Sequence, residues 1–385
     1  MKTAIWLYLF LFVAFFDLHA QYPILTPFAL SLGAAPSFIG LMMGIYSITH
    51  LPGNLIAGYS VDRFGSRLFI VLSLLLAGII LLVQSHVTNP WELLVLRSIS
   101  GFVLAFLSPA CMALLANLSH NPLKQGKLMA GNGLVHTLAS VISPAAGALL
   151  VARIGFTEAF NALGWILVFT ALCAFFFIRN APRSSPPSHA EHSAKPSPEP
   201  EEPPTAIPWL IYLLPIAMSC AQGILSFELP LMAVTADAMM TTGLLFSVVS
   251  LGALVTLSML FLNRYSPFAR SLWGAVALAL TYFMLAVDSP IPFAVLLLLL
   301  GMAKGIIFPA LSSLLIELSG GKRYGRTFSL LSIAFSIGAF LGPMLAGQLR
   351  GELSPYYIAF VVLMIASIAM PLGLYRDPAR RTRLT

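Results

Sequence analysis

Long apolar runs recur along almost the whole chain, each close to the length a helix needs to cross a bilayer. A spanning helix requires about 20 mostly apolar residues. Such runs predict spans at 4–28, 36–59, 68–86, 91–117, 128–151, 156–178, 208–232, 240–262, 270–288, 291–318, 327–348 and 353–375. The turns between them are short and carry Pro, Gly, Asn or Ser, as at Asn89-Pro90 and Ser289-Pro290. Only 9% of the 385 residues are charged and 58% are hydrophobic, where a soluble domain carries about 25% charge. So few charges cannot coat a water-facing surface, so lipid must be the solvent for most of it. The expectation is an all-α membrane protein of twelve transmembrane helices with the lipid bilayer as its main partner.

The N-terminus imitates a secretory signal: Lys2, an apolar stretch from Ala4 to Phe16, then Leu18-His19-Ala20. Asp17 and His19 fit a signal poorly, and apolar character resumes from Tyr22 to Leu32, so an uncleaved first span is expected. One segment breaks the apolar rhythm. Residues 179–207 are dense in Pro, Ser, Glu and Ala and read as a disordered linker. The expected organisation is an N-terminal six-helix bundle over 1–178, the linker, a C-terminal six-helix bundle over 208–375 and a basic tail over 376–385.

The net charge of +7 reflects topology and not a nucleic-acid partner. With both termini and the linker placed in the cytoplasm, basic residues collect on that side, and only Arg153 and Arg350 fall outside. The expected location is therefore the cell membrane, as a multi-pass protein with both termini cytoplasmic. Cys111, Cys173 and Cys220 sit singly inside apolar runs and read as small packing residues; no metal site or cofactor is expected.

The halves repeat. Gly101, Pro109, Ala110, Leu114, Leu115, Leu118 and Ser119 return 200 residues later as Gly301, Pro309, Ala310, Leu314, Leu315, Leu318 and Ser319. At an offset of 199, Pro144 answers Pro343. A duplicated six-span unit is a known transporter plan.

The segment Gly58-Tyr-Ser-Val-Asp62-Arg63-Phe-Gly65-Ser-Arg67 lies between spans 2 and 3. It resembles the G-x-x-x-D-R-x-G-R-R signature of the major facilitator superfamily, with Ser66 in place of the usual basic residue. Arg97-Ser-Ile-Ser-Gly101 is similar to the R-x-x-Q/S-G element of proton-coupled members. Ser143-Pro144-Ala-Ala-Gly147 resembles the antiporter element G-P-x-x-G, with serine replacing its first glycine. Gly342-Pro343-Met-Leu-Ala-Gly347 is a spaced-out partner in span 11. The resemblance implies two pseudo-symmetric six-helix bundles and, through its drug:proton antiporter branch, small-molecule export with protons as coupling ion. It also implies that Gly58, Asp62, Arg63, Gly65 and Arg67 form a gating motif, with Asp62 docking on the start of span 11.

The charges inside the spans are the candidate site. Asp17 lies roughly 18 Å into span 1 at 1.5 Å per residue, where a carboxylate faces a cavity or a partner. It reads as a proton-coupling site or as a static contact between helices, with Glu228 in span 7 as the second coupling candidate. Gln21 shares a helix face with Asp17, four residues away; His19 does not. Arg97 keeps its charge at ordinary pH and reads as a carboxylate or substrate partner, or as a snorkelling anchor. Lys304 is deep in span 10, and its repeat counterpart is Leu104. Substrate-cavity candidates are thus Gln21, His19, Arg97, Lys304, His50 and His136. Pro144, Gly147, Gly342, Pro343 and Gly347 read as helix kinks that gate or simply pack.

No Walker A loop and no nucleophile constellation is present, so the chain is not expected to be an enzyme. It is expected to act as a monomer, exporting a drug-like compound or a secreted metabolite such as a metallophore. Arg97 and Lys304 would suit carboxylate-bearing metabolites. Uptake on the same fold, lipid flipping and membrane sensing are the competing functions.

Overall fold

Leu68, Leu72, Leu76, Ile79 and Val83 are all exposed and form one stripe down a single helix, while Ile70, Leu74, Ala77 and Leu81 on the opposite face are buried. A soluble helix carries polar residues on its outward face. Here both faces are apolar, so the outward face meets hydrocarbon. The computed structural model describes residues 2–118, 122–178, 209–231, 236–318 and 324–375. The 179–207 linker and the 376–385 tail lie outside the described residues.

The helices are α1 (Lys2–Ala20), α2 (Tyr22–Ser31), α3 (Pro36–Phe64), α4 (Ser66–Gln84), α5 (Pro90–Leu104), α6 (Leu107–Asn117), α7 (Pro122–Phe177), α8 (Leu213–Leu231), α9 (Ala236–Ser258), α10 (Pro267–Ala286), α11 (Phe293–Leu318), α12 (Tyr324–Leu349) and α13 (Pro355–Tyr375). Among the described residues they resolve into twelve spans. Helix α7 has 56 residues, about 84 Å at 1.5 Å per residue, far more than a bilayer core of about 30 Å. It turns back at Gly155, whose φ of 82° and ψ of 173° are left to glycine, and so supplies spans 5 and 6.

Two other spans are interrupted. Span 1 passes from α1 to α2 at Gln21, and span 4 from α5 to α6 at Ala105-Phe106. Each break has a proline just beyond it, Pro23 and Pro109. A proline has no N–H for the carbonyl four residues back and crowds it, which locates the breaks near His19 and Ala105.

The two halves use the same internal contacts. Span 1 packs on span 5, span 2 on span 4 and span 3 on span 6; the second half repeats this as 7 on 11, 8 on 10 and 9 on 12. The repeated glycines sit at equivalent contacts. A Cβ on Gly101 would collide with the Tyr46 carbonyl of span 2, and one on Gly301 with the Val249 carbonyl of span 8. The backbones touch there, which only glycine permits.

The halves meet through span 2 against span 11 and span 5 against span 8. These contacts are tightest near one end. A Cβ on Gly40 would strike the Pro343 carbonyl, one on Gly347 would come 2.6 Å from the Pro36 carbonyl, and one on Gly243 would come 2.6 Å from the Pro144 carbonyl. The opposite end, where the linker leaves, holds a cavity of about 460 Å³ between spans 1, 2, 7, 10 and 11. The bundle is therefore shut at the far end and open at the linker end.

Replacing Gly101 or Gly301 by leucine should lower the unfolding temperature of the detergent-purified protein, with a cost of about 1–3 kcal/mol for overpacking. Gly133, where an added Cβ would meet no atom within 4 Å, should tolerate alanine with no loss. Equal behaviour of the three variants in a thermal-unfolding assay would show that backbone contact is not what these glycines provide.

Candidate functional site

The break in span 1 places one side chain where two helices converge. Gln21 is the residue between α1 and α2, and it is almost fully buried with Asp17 and Arg97. Its amide nitrogen donates to both oxygens of Asp17, at 2.9 and 3.0 Å. Its amide oxygen accepts from Arg97 at 2.8 Å. The carboxylate and the guanidinium are thus joined through a neutral amide. The Arg97 guanidinium also lies over the Tyr46 ring, 4.6 Å from its centre, which connects span 4 to span 2. A planar, delocalised cation suits that stacking and a directed hydrogen bond at once.

His19 leaves the same helix on another side. Its Nδ1 lies 2.7 Å from the Phe15 carbonyl, and its ring packs edge-on against His136 of span 5 at 5.2 Å and Tyr22 at 5.4 Å. His136 also meets Phe15 at 4.7 Å and is itself exposed.

The second half has a matching arrangement. Lys304, near the middle of span 10, donates to the Gln222 side-chain oxygen of span 7 at 2.7 Å. The Gln222 amide nitrogen donates to Ser226 at 3.2 Å. Gln222 and Ser226 are not among the sequence candidates. The repeat holds the missing signal: Gln222 lies 201 residues after Gln21, one step off the 200-residue register.

Not every candidate joins this centre. Glu228 lies six residues beyond Gln222, about 9 Å further along the helix, and pairs with Arg350 at 3.1 Å near the shut end. His50 lies 2.9 Å from Asn54 and lines the cavity with it. The rest of the cavity wall is aromatic, hydroxylic or aliphatic, with Tyr46, Phe308 and Phe335 among the rings and Ser219, Ser332 and Ser336 among the hydroxyls. Tyr46 therefore touches Arg97 on one side and the cavity on the other.

The signature between spans 2 and 3 divides in its roles. Gly65 has φ 93° and makes the turn from α3 to α4. Gly58 faces open space. Arg67 donates to the Phe175 carbonyl at 2.5 Å and lies over that ring at 5.0 Å, a cation at the carbonyl end of span 6. Arg63 donates to the Tyr59 hydroxyl at 3.2 Å. The Asp62 side chain lies outside the described residues.

The prolines and glycines of spans 5 and 11 sit at helix contacts. Gly147 abuts the Ala20 backbone, immediately before Gln21, and Gly342 abuts the Cys220 carbonyl. Pro343 packs between Gly40 of span 2 and Gly223 of span 7.

A family model described as the Major Facilitator Superfamily matches residues 7–287 and 271–385. The multi-drug resistance efflux pump PmrA homolog of Lactococcus lactis subsp. lactis (strain IL1403) is 25% identical over 349 residues, covering 86% of this chain and 84% of that protein. The multidrug resistance protein MdtG of Escherichia coli (strain 55989 / EAEC) is 25% identical over 393 residues, covering 98% and 94%. Two solved structures share the fold. A bacterial homolog to human lysosomal transporter Spinster, in inward-facing and occupied conformation, superposes with a TM-score of 0.78 at 17% identity, covering 98% of this chain and 97% of that one. A POT family transporter in complex with thioalcohol conjugated peptide gives a TM-score of 0.78 at 12% identity, covering 99% and 97%. With its twelve spans, its repeated halves and a family model that runs through both of them, the chain belongs to the major facilitator superfamily and is a multi-pass membrane transporter, not an enzyme.

Proposed function

We propose that this transporter exports a small molecule by proton antiport, with Asp17 as the proton-binding group. The observation that carries the reading is the buried chain Asp17–Gln21–Arg97–Tyr46, which runs from a carboxylate to the cavity wall. With Asp17 ionised, its charge is balanced through Gln21 by Arg97. A proton on Asp17 removes the anionic acceptor and leaves Arg97 unbalanced. Its hold on Gln21 and on Tyr46 then changes, and Tyr46 lies against the cavity. A contact that differs between the two protonation states biases the equilibrium between the two access states. Glu228, paired with Arg350, serves better as a brace near the shut end than as a second proton carrier.

The relatives named as efflux and multidrug resistance proteins favour export of drug-like compounds. With the linker and both termini in the cytoplasm, as the basic residues favour, the open cavity faces the cytoplasm and is ready to load an exported molecule. Alternating access then needs span 2 to part from span 11 and span 5 from span 8, while the linker end closes.

In inside-out vesicles carrying the purified chain, an acidic lumen should drive dye uptake about ten-fold faster than no gradient. Asp17→Asn should abolish the stimulation, and Gln21→Leu should weaken it. Equal transport with and without the gradient, together with an indifferent Asp17→Asn, would remove the antiport reading.

Orientation has its own test. After replacement of the three native cysteines, a cysteine at position 190 should react with an impermeant maleimide in inside-out vesicles and stay unlabelled in intact cells. The opposite labelling pattern would invert the topology.

A further inference from the structure

The two halves build the same polar device and finish it differently. In each, a glutamine on the first span accepts a hydrogen bond from a cation on the fourth: Arg97 to Gln21 at 2.8 Å, and Lys304 to Gln222 at 2.7 Å. Beyond the glutamine the halves part. Gln21 passes its amide hydrogens to a carboxylate, Asp17. Gln222 passes its own to a hydroxyl, Ser226. The first device carries both charges and the second only a positive one.

Nothing nearby repairs that imbalance. Among the described residues, no carboxylate comes within ion-pairing distance of Lys304; Glu228 is engaged by Arg350. Asp17 is held by Gln21. Glu317 is on the same helix but 13 residues away, about 20 Å. Across the junction of the halves, His19 and His136, which meet edge-on at 5.2 Å, lie within electrostatic reach of Lys304. The His136 ring can present an N–H to an oxyanion, whereas His19 already commits its Nδ1–H to the Phe15 carbonyl; neither can neutralise an ammonium. A cation near mid-membrane without a counter-charge is expensive, and such residues mark substrate pathways.

We propose that Lys304, with His136 beside it, receives an oxyanion of the transported molecule, so that the substrates are anions or zwitterions carrying a carboxylate or phosphate group. The anion supplies the charge that Asp17 supplies in the first half. The molecule's apolar part would lie along Phe308, one helical turn from Lys304 and on the cavity wall. The inference rests on the transporter reading above, but not on the proton-coupling step.

The test is binding to the full-length purified chain with no pH gradient. Four indole probes differ chiefly in charge: N-acetyltryptophan, its neutral amide, indoxyl phosphate and the cation tryptamine. Isothermal titration should show one or both anions binding about ten-fold more tightly than the amide, the scale of one charge-assisted contact. Tryptamine should bind no better than the amide. Which anion wins identifies the oxyanion. Lys304→Gln should erase the preference while amide binding persists, and Lys304→Arg should retain it. If Lys304→Gln does not purify, His136→Gln, altered at an exposed ring, should reduce the preference several-fold. Binding of both anions no tighter than the amide overturns the proposal, as does a preference that survives Lys304→Gln or, in its place, His136→Gln. Because no gradient is applied, failure of proton coupling leaves this result untouched. Loss of the anion preference in turn leaves gradient-driven dye transport standing.

Discussion

One side-chain amide holds the first half of this protein together electrically. Gln21 donates to Asp17 and accepts from Arg97, so an anion and a cation share a dry interior through a neutral dipole. Either charge alone at that depth would be costly, and removing one partner of a buried pair costs far more than the pair contributes. The amide meets both needs because it has a donor and an acceptor on one planar group. Its place at the proline-induced break in span 1 is part of the design, since Gly147 of span 5 brings its backbone against Ala20 there.

Around that centre the scaffold is symmetric where it packs and asymmetric where it is charged. Gly101 and Gly301 let span 4 meet span 2 and span 10 meet span 8 at backbone distance. The glutamines are matched as well. The terminal group of each device is not: a carboxylate in one half, a hydroxyl in the other. Packing must recur because both copies solve the same problem of assembling helices without a hydrophobic drive between them. Charge need not recur, and the difference between the halves leaves a positive centre at their junction.

The twelve spans, the two halves and the signature after span 2 were legible from residue order alone. Hydropathy is a local property, and a span reports itself by length and composition. Proximity of Asp17 and Gln21 was legible too, because four residues is one helical turn. The partners from other spans were not. Nothing local marks Gln222 as the acceptor for Lys304, or Tyr46 as the ring beneath Arg97, since those meetings depend on how separate helices are rotated and stacked. Nothing local marks Arg350 as the partner of Glu228 either; the two meet because span 11 folds back along span 7.

Residue types and their order are enough to place the chain in a bilayer, to reveal its repeat and to name the few charges it must accommodate there. The bilayer imposes those facts residue by residue, through the cost of transferring each side chain and each backbone amide out of water. Which charges are already balanced, and which end of the bundle is open, depend on the folded arrangement. Balance rests on distances of about 3 Å between side chains far apart in the chain, and opening rests on which helix pairs touch along their length. Asp17 and Lys304 are both buried charges by composition. Folding gives one a cationic partner through Gln21 and sets the other on a neutral amide, Gln222.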